Sequence, residues 1–356
     1  MRVVDDSPDS LNATPLRKLL DDSLLFDATT DRGLTNHLPM ALIAKAGLGA
    51  APRELARFAR RYARRLVKPG TPRETLSRSN WQSAIGESAA YPELVHFFDG
   101  EVTELGIDES VRTYLNDLVP GISGAAFHGV IRLAYALDVE LWSQVSSALA
   151  YLASSASTLA PLDDIAPTSE SPQEILDALS ASGEWSAVPS MKLISEEMSW
   201  VGAQRGFARL ASSLEVNETT PRQLADAALK VYASTDDFTA LHGVTGMEAL
   251  ARVRKFVADP DLFDRFSFQA LAAAYATMGA PALWSDDRLA ETVSRHALEP
   301  RNVAQRAAWS DDEHVAKLVF TARRLDEEQL NPLYSFVSAR AVMNEPARDA
   351  AADMDA

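Results

Sequence analysis

Six histidines and no cysteine define the chemistry open to this 356-residue chain. Without thiols there is no disulfide, thiolate nucleophile, zinc–cysteine site or cysteine-held iron–sulfur cluster. A metal would have to sit on imidazole, carboxylate or a less usual oxygen donor. His37, in Asn36-His37-Leu38-Pro39-Met40, precedes an apolar helix over 41–48. Pro39 fits a first turn, which places the imidazole at a helix N-terminus. There the helix dipole disfavours imidazolium and favours the neutral ring that metal ligation needs. His128 lies among small residues (Gly124, Ala125, Gly129), and Arg132 follows one turn on. Close approach of a ligand, or of a neighbouring helix, accounts equally for that setting. His242 is followed by Gly243, Thr245 and Gly246. Glycine in a helix costs about 1 kcal/mol relative to alanine, so space is wanted there, for a ligand or for helix packing.

His314 is the most informative of the six. It follows Ser310-Asp311-Asp312-Glu313, a helix-start signal, and Lys317 comes three residues later. Leu318, Thr321 and Leu325 continue the same face, so Lys317 is expected to point inward. A buried lysine is costly unless it is neutral or paired, and burial lowers its pKa. Two outcomes stay open. Lys317 either reaches solvent or an acid, or stays neutral and reacts with carbon dioxide to form a carbamate, an anionic oxygen donor. His96 and His296 have no glycine beside them and a glutamate one turn away, Glu93 and Glu299; they read as structural or surface residues.

The elements that must position these groups are helical. Ala and Leu are abundant, and alternating β-branched runs are scarce. Helix starts are expected at Thr71-Pro72-Arg73-Glu74, Ser171-Pro172-Gln173-Glu174, Thr220-Pro221-Arg222-Gln223 and Ser310-Asp311-Asp312-Glu313. Each sets a capping hydroxyl three residues ahead of an acid or amide, three of them with proline at the first helical position. The reading is all-α: a single large helical domain over 21–344 of roughly a dozen helices, with a metal site between helices. A flexible segment is expected over 1–20 and a disordered acidic tail over 345–356. Between Arg132 and Lys192 there are eight acids and no Lys or Arg, with a linker or surface loop at Pro161–Pro167. From Arg53 to Lys68, seven cations accompany one acid. Leu55, Phe58, Tyr62 and Leu66 recur there at helical spacing, which makes a solvated basic face, or a patch for an anionic partner or carrier protein.

Several strings in order resemble the questin oxidase-like family: Asn36 to Met40 with Leu48-Gly49-Ala50; Asn80-Trp81 followed by Gly86; Gly121 to Arg132 with Leu133 to Leu137; Leu149-Ala150; His242 to Gly246; and Asp312 to Lys317. The resemblance implies an all-α fold and dioxygen-dependent oxidation of a polycyclic aromatic polyketide of the anthraquinone type, by carbon–carbon cleavage or Baeyer–Villiger-like ring opening. It also implies a non-haem Fe(II) held by His37, His128, His242 and His314, with a carbamylated Lys317. Lys45 stands where the family more often has an apolar residue and offers a second lysine near His37; Lys317 is preferred. NADPH is carried as an optional co-substrate. Arg132 is placed to stabilise a phenolate or oxyanion, or to form a structural ion pair. Thr245 is placed to hydrogen-bond an oxygen at the centre, or to bond back to its own helix. Trp81, Tyr135 and Phe238 offer aromatic walls or ordinary core packing.

Composition excludes other classes. With 50 acidic and 34 basic residues, net charge −16, the surface repels phosphate backbones, so nucleic acid is not an expected partner. No apolar run reaches the roughly 18 residues of a membrane span, and the first ten residues carry no signal-peptide pattern; a cytoplasmic enzyme is expected. Monomer and homodimer both remain open. Beside the iron-dependent reading stand a metal-independent or NADPH-dependent monooxygenase and a non-catalytic polyketide-binding protein.

Overall fold

Proline at the first or second position, flanked by long Ala/Leu-rich stretches, starts helix after helix along the chain. The computed structural model describes residues 11, 13–295, 300–329 and 331–345; among them are seventeen α-helices, three isolated β-bridges and no strand. The first seven are α1 (Thr14–Ser23), α2 (Leu38–Gly47), α3 (Pro52–Ala63), α4 (Tyr91–Leu105), α5 (Ile107–Leu118), α6 (His128–Val139) and α7 (Trp142–Ser154). Next come α8 (Pro172–Ser182), α9 (Ile194–Gly202), α10 (Phe207–Ala211), α11 (Thr220–Thr235) and α12 (Phe238–Val253). The last are α13 (Pro260–Thr277), α14 (Asp286–Arg295), α15 (Pro300–Trp309), α16 (Glu313–Gln329) and α17 (Pro332–Asn344).

The all-α expectation holds, with seventeen helices in place of a dozen. Part of the excess lies in short pieces such as α9 and α10, which carry too little apolar periodicity to be read as separate helices. Within the segment expected as flexible over 1–20, α1 begins at Thr14 and buries Leu16 and Leu20. The tail from 346 lies outside the described residues. Of the four expected starts, Ser171 caps α8 through the Glu174 N–H at 3.2 Å. Thr220 opens α11 but is not its cap; its hydroxyl accepts from the Asn217 N–H. At α16 the cap is Asp312 and not Ser310, since Asp312 Oδ1 accepts from the His314 N–H at 2.8 Å. Thr71 starts no helix. The residues after it hold Leu76 as their one apolar side chain up to Trp81, and a short helix with no stripe to bury is not stable.

The core runs through α2, α6, α7, α12, α13 and α16, which pack on one another. Nine consecutive α2 residues, Leu38–Ala46, are buried, as are Thr239 to Leu250 of α12. Helices apolar on all sides belong in an interior. Helix α2 packs on α6 and α16, and α12 packs on α6 and α16, so these four form the central group. A charge cluster joins three of them. Asp138 of α6 accepts from Arg252 of α12 and from Arg324 of α16, and both arginines also lie near the buried Glu248 of α12 at 3.7 and 3.6 Å. Desolvation pushes the Glu248 carboxyl above its usual range. No helix among the described residues is long and apolar enough to cross a membrane.

Candidate metal centre

Each central helix contributes one imidazole. His37 is the N-cap residue of α2 and His128 the first residue of α6; His242 lies in the second turn of α12 and His314 in the first turn of α16. The rings converge. His37–His128, His37–His314 and His128–His242 centroids are 4.6, 4.7 and 4.7 Å apart, and His242–His314 is 5.3 Å. Nitrogens of His37, His128 and His314 lie within 4.8 Å of one another. Lys317, one turn below His314, is fully buried, and its Nζ has no hydrogen-bond partner.

Local contacts fix three of the rings, two through backbone carbonyls and one through a carboxylate. His128 Nδ1 meets the Ala125 carbonyl at 2.5 Å and His242 Nδ1 meets the Phe238 carbonyl at 2.8 Å. Both contacts place the N–H on Nδ1. Nε2 is left as a lone pair in each ring, and both Nε2 atoms are buried without a partner. His314 Nδ1 is held in the same way by Asp312 Oδ1 at 3.0 Å. Backing a ligating imidazole with a carbonyl or carboxylate is the ordinary way to set its tautomer and orientation. His37 keeps a buried Nδ1 without a partner, while its backbone N–H donates to the Tyr62 hydroxyl at 3.0 Å. The segment ahead of His128 is strained: Ala125, Ala126 and Phe127 all have positive φ, at 48, 50 and 69°. Left-handed backbone costs an L-residue about 1–2 kcal/mol, and such strain concentrates at functional sites. Gly124 precedes this turn because a Cβ there would lie 2.0 Å from the Ser155 carbonyl oxygen.

Burial and mutual repulsion disfavour charge on the imidazoles. His37, His128 and His242 are pushed well below the usual histidine range, by desolvation first and then by neighbouring Lys317 or imidazoles. His314 is lowered by burial, against the opposing pull of Asp312. Lys317 is lowered to about 8 by burial, partly offset by Glu313 and Asp312. Five donors converge here: four imidazoles that burial keeps neutral and a lysine amine that loses its proton more readily than an exposed one.

Beside the rings opens a cleft of about 1110 Å³, lined by Phe58, Tyr62, Tyr232, Phe238 and Trp309 among many charged side chains and bordered by His314. The Phe238 ring lies 4.7 Å from both His242 and His314, so it is the wall that joins cleft and centre. Of the other expected aromatic walls, Trp81 packs with Phe97, Phe98 and Tyr114, and Tyr135 packs with Phe320; both are buried core.

The remaining expected residues go elsewhere. The charged end of Arg132 reaches α7, where Nη2 donates to Ser147 Oγ at 2.8 Å and the guanidinium stands 5.7 Å from the Tyr151 ring. Thr245 donates back to the Leu241 and His242 carbonyls at 3.3 Å. Lys45 is buried but faces away from the imidazoles, with Nζ donating to the carbonyls of Ala308 and Ser310. His96 is exposed, and His296 lies outside the described residues. Residue spacing left two contributors unread. Spacing shows Asp312 only as a helix-start acid, yet it also orients His314. Spacing shows Tyr62 only as an apolar position of a basic helix, yet its hydroxyl accepts from the His37 N–H.

A family model described as questin oxidase-like matches residues 34–322. No curated protein matches the chain.

Proposed function

The chain belongs to the questin oxidase-like family, and we propose that it is a non-haem iron oxygenase that opens a ring of an anthraquinone-type polyketide. The observation that carries this reading is the convergence of four imidazoles from four helices beside a buried lysine. Buried polar atoms without partners are rare in folded proteins, and here Nδ1 of His37, Nε2 of His128 and of His242 and Nζ of Lys317 are all of that kind. The donor set fits a divalent metal. His37, His128, His242 and His314 would hold it, with Lys317 as a carbamate supplying the anionic oxygen. Nitrogen donors with one carboxylate-like oxygen suit ferrous iron. Iron, when bound, would supply the dioxygen activation that ring opening of an electron-rich aromatic requires.

The side chains around it have separable tasks. The neutral Lys317 amine takes up carbon dioxide with loss of one proton, and burial favours the neutral amine. Ala125, Phe238 and Asp312 hold three imidazoles in the tautomer that directs a lone pair inward. Phe58, Tyr232, Phe238 and Trp309 offer flat apolar faces to a fused-ring substrate and exclude water from its reacting edge. At about 1110 Å³ the cleft lies just past the upper end of the range of about 300–1,000 Å³ for small-molecule sites, which leaves room for a fused-ring ligand.

The test is metal content and oxygen uptake together. Protein produced with iron available is expected to carry about one iron per chain and to consume oxygen with an anthraquinone substrate. It should show no turnover under anaerobic conditions. Protein with no transition metal under those conditions, or activity that survives exhaustive chelation, would overturn the proposal.

A further inference from the structure

Arg132 is 2% exposed and has no carboxylate partner among the described residues. Nη2 donates to Ser147 Oγ, while Nε and Nη1 are buried and unpartnered. A buried cation normally has an acid beside it, because desolvation without a partner costs several kcal/mol. The Tyr151 ring at 5.7 Å gives only partial compensation. The hydroxyl that Arg132 contacts belongs to the wall of a second pocket, of about 330 Å³, separate from the cleft at His314.

Counting protons on that wall gives its polarity. Guanidinium only donates, so Ser147 Oγ accepts from Arg132. Ser147 Oγ also lies 2.9 Å from the Tyr91 hydroxyl, and both residues line the pocket. If Tyr91 donates to Ser147, the Ser147 proton is uncommitted; if Ser147 donates, the Tyr91 proton is. Neither hydroxyl has another acceptor among the described residues. One O–H therefore remains for an acceptor brought by a ligand, with an uncompensated positive charge behind it. The rest of the wall is largely apolar, with Leu24, Phe26, Pro92 and Val95. Asp99 also lines the pocket, beside His96, and its carboxylate disfavours a second negative charge on a ligand.

We infer that this pocket is a second ligand site, specific for a small monocarboxylate with an apolar body of one or two rings. Its carboxylate accepts from the Ser147–Tyr91 hydroxyl pair, and Arg132 provides the counter-charge. Arg132 stands one helical turn beyond His128, so a ligand here reports to the helix that carries one of the four imidazoles.

The test is calorimetric titration and thermal melting of the full-length protein with acetate, benzoate and 2-naphthoate, each aromatic acid paired with its amide. Benzoate or 2-naphthoate is expected to bind at least tenfold more tightly than the matching amide and to raise the melting temperature. Arg132→Met should abolish that preference and Ser147→Ala should weaken it severalfold. Should Arg132→Met fail to fold, Val95→Trp fills the pocket from its partly exposed wall and should block binding with Arg132 intact. Equal affinity for acid and amide, no binding at millimolar acid, or binding undiminished by Arg132→Met and Val95→Trp would overturn the proposal. So would chloride alone raising the melting temperature of wild type but not of Arg132→Met, since the site would then belong to a halide.

Discussion

At the scale of single residues, the groups behind the imidazoles decide as much as the imidazoles themselves. Asp312 does two things at once: Oδ1 accepts from the His314 backbone N–H and also meets the His314 ring. Burial pushes its carboxyl up, but the His314 contacts outweigh that and hold it below its usual value. Asp312→Ala is expected to weaken metal binding roughly 10–100-fold, the usual effect of removing a carboxylate behind a ligating histidine, and to cost about 1 kcal/mol of stability through the lost cap. Asp312→Ser restores the cap but not the anion. It should recover the stability and not the affinity, as read by metal titration and chemical unfolding; joint recovery would mean that Asp312 acts only as a cap. The strained turn before His128 gives a second expectation. Ala125 is partly exposed, with φ at 48°, so Ala125→Gly removes strain at little packing cost. It should stabilise the protein by about 0.5–1 kcal/mol. A loss of stability would mean that the turn is not left-handed in solution.

At the scale of elements, Lys45 links α2 to the end of α15, immediately before the turn that places His314. Its Nζ binds two chain carbonyls, over the Phe58 ring at 4.5 Å, and burial lowers its pKa from 10.5 to about 8. For a cation whose folded pKa lies below its unfolded value, the folded state releases its proton first as pH rises. Stability therefore increases between pH 8 and 10.5 and is level below that. That lowering of the pKa corresponds to about 3 kcal/mol. Both carbonyl contacts survive deprotonation, because a neutral amine keeps two N–H groups. Wild type should accordingly gain about 3 kcal/mol relative to Lys45→Met from pH 7 to 10.5, by denaturant unfolding at each pH; a constant difference would refute buried, charged Lys45. The same lysine shows where sequence reading reaches its limit. Helix periodicity made α2 and its buried faces legible; small neighbours set His128 and His242 apart from His96, while His37 stands out by its place ahead of Pro39 and His314 by its helix-start signal and Lys317. What Lys45 and Arg132 touch was not, because their partners are 263 and 15 residues away on other helices. Gly246 is similar: the glycine signals space, for a ligand before His242 or for helix packing, and packing is what uses it, since a Cβ there would lie 2.7 Å from the Phe127 ring. Capping signals overpredicted at Thr71 because they are local and helix stability is not.

At the scale of the molecule, the imidazoles come in two pairs far apart in the chain: His37 and His128 in its first half, His242 and His314 in its second. Opposite the rings, Asp138 already fastens α6 to α12 and α16 through Arg252 and Arg324. A metal on the four imidazoles would close the other end of the same helices and add α2. Such a ligand binds the folded chain and not the unfolded one, because the unfolded chain cannot bring the four rings together. Folding is then stabilised by the binding free energy, about 4 kcal/mol when free metal is a thousandfold above the dissociation constant. For a chain of this size that corresponds to roughly 5–10 °C in melting temperature. Chelation should lower the melting temperature by that amount, restoring Fe(II) should recover it, and His242→Ala should be insensitive to both. The unfolding of the metal-free protein should stay a single transition, because the Asp138 cluster and the packing of α6 on α12 still join the two halves of the chain. A melting temperature indifferent to metal would remove the centre from the account of this fold. Two separate transitions after chelation would instead show that the metal is the principal tie between the halves.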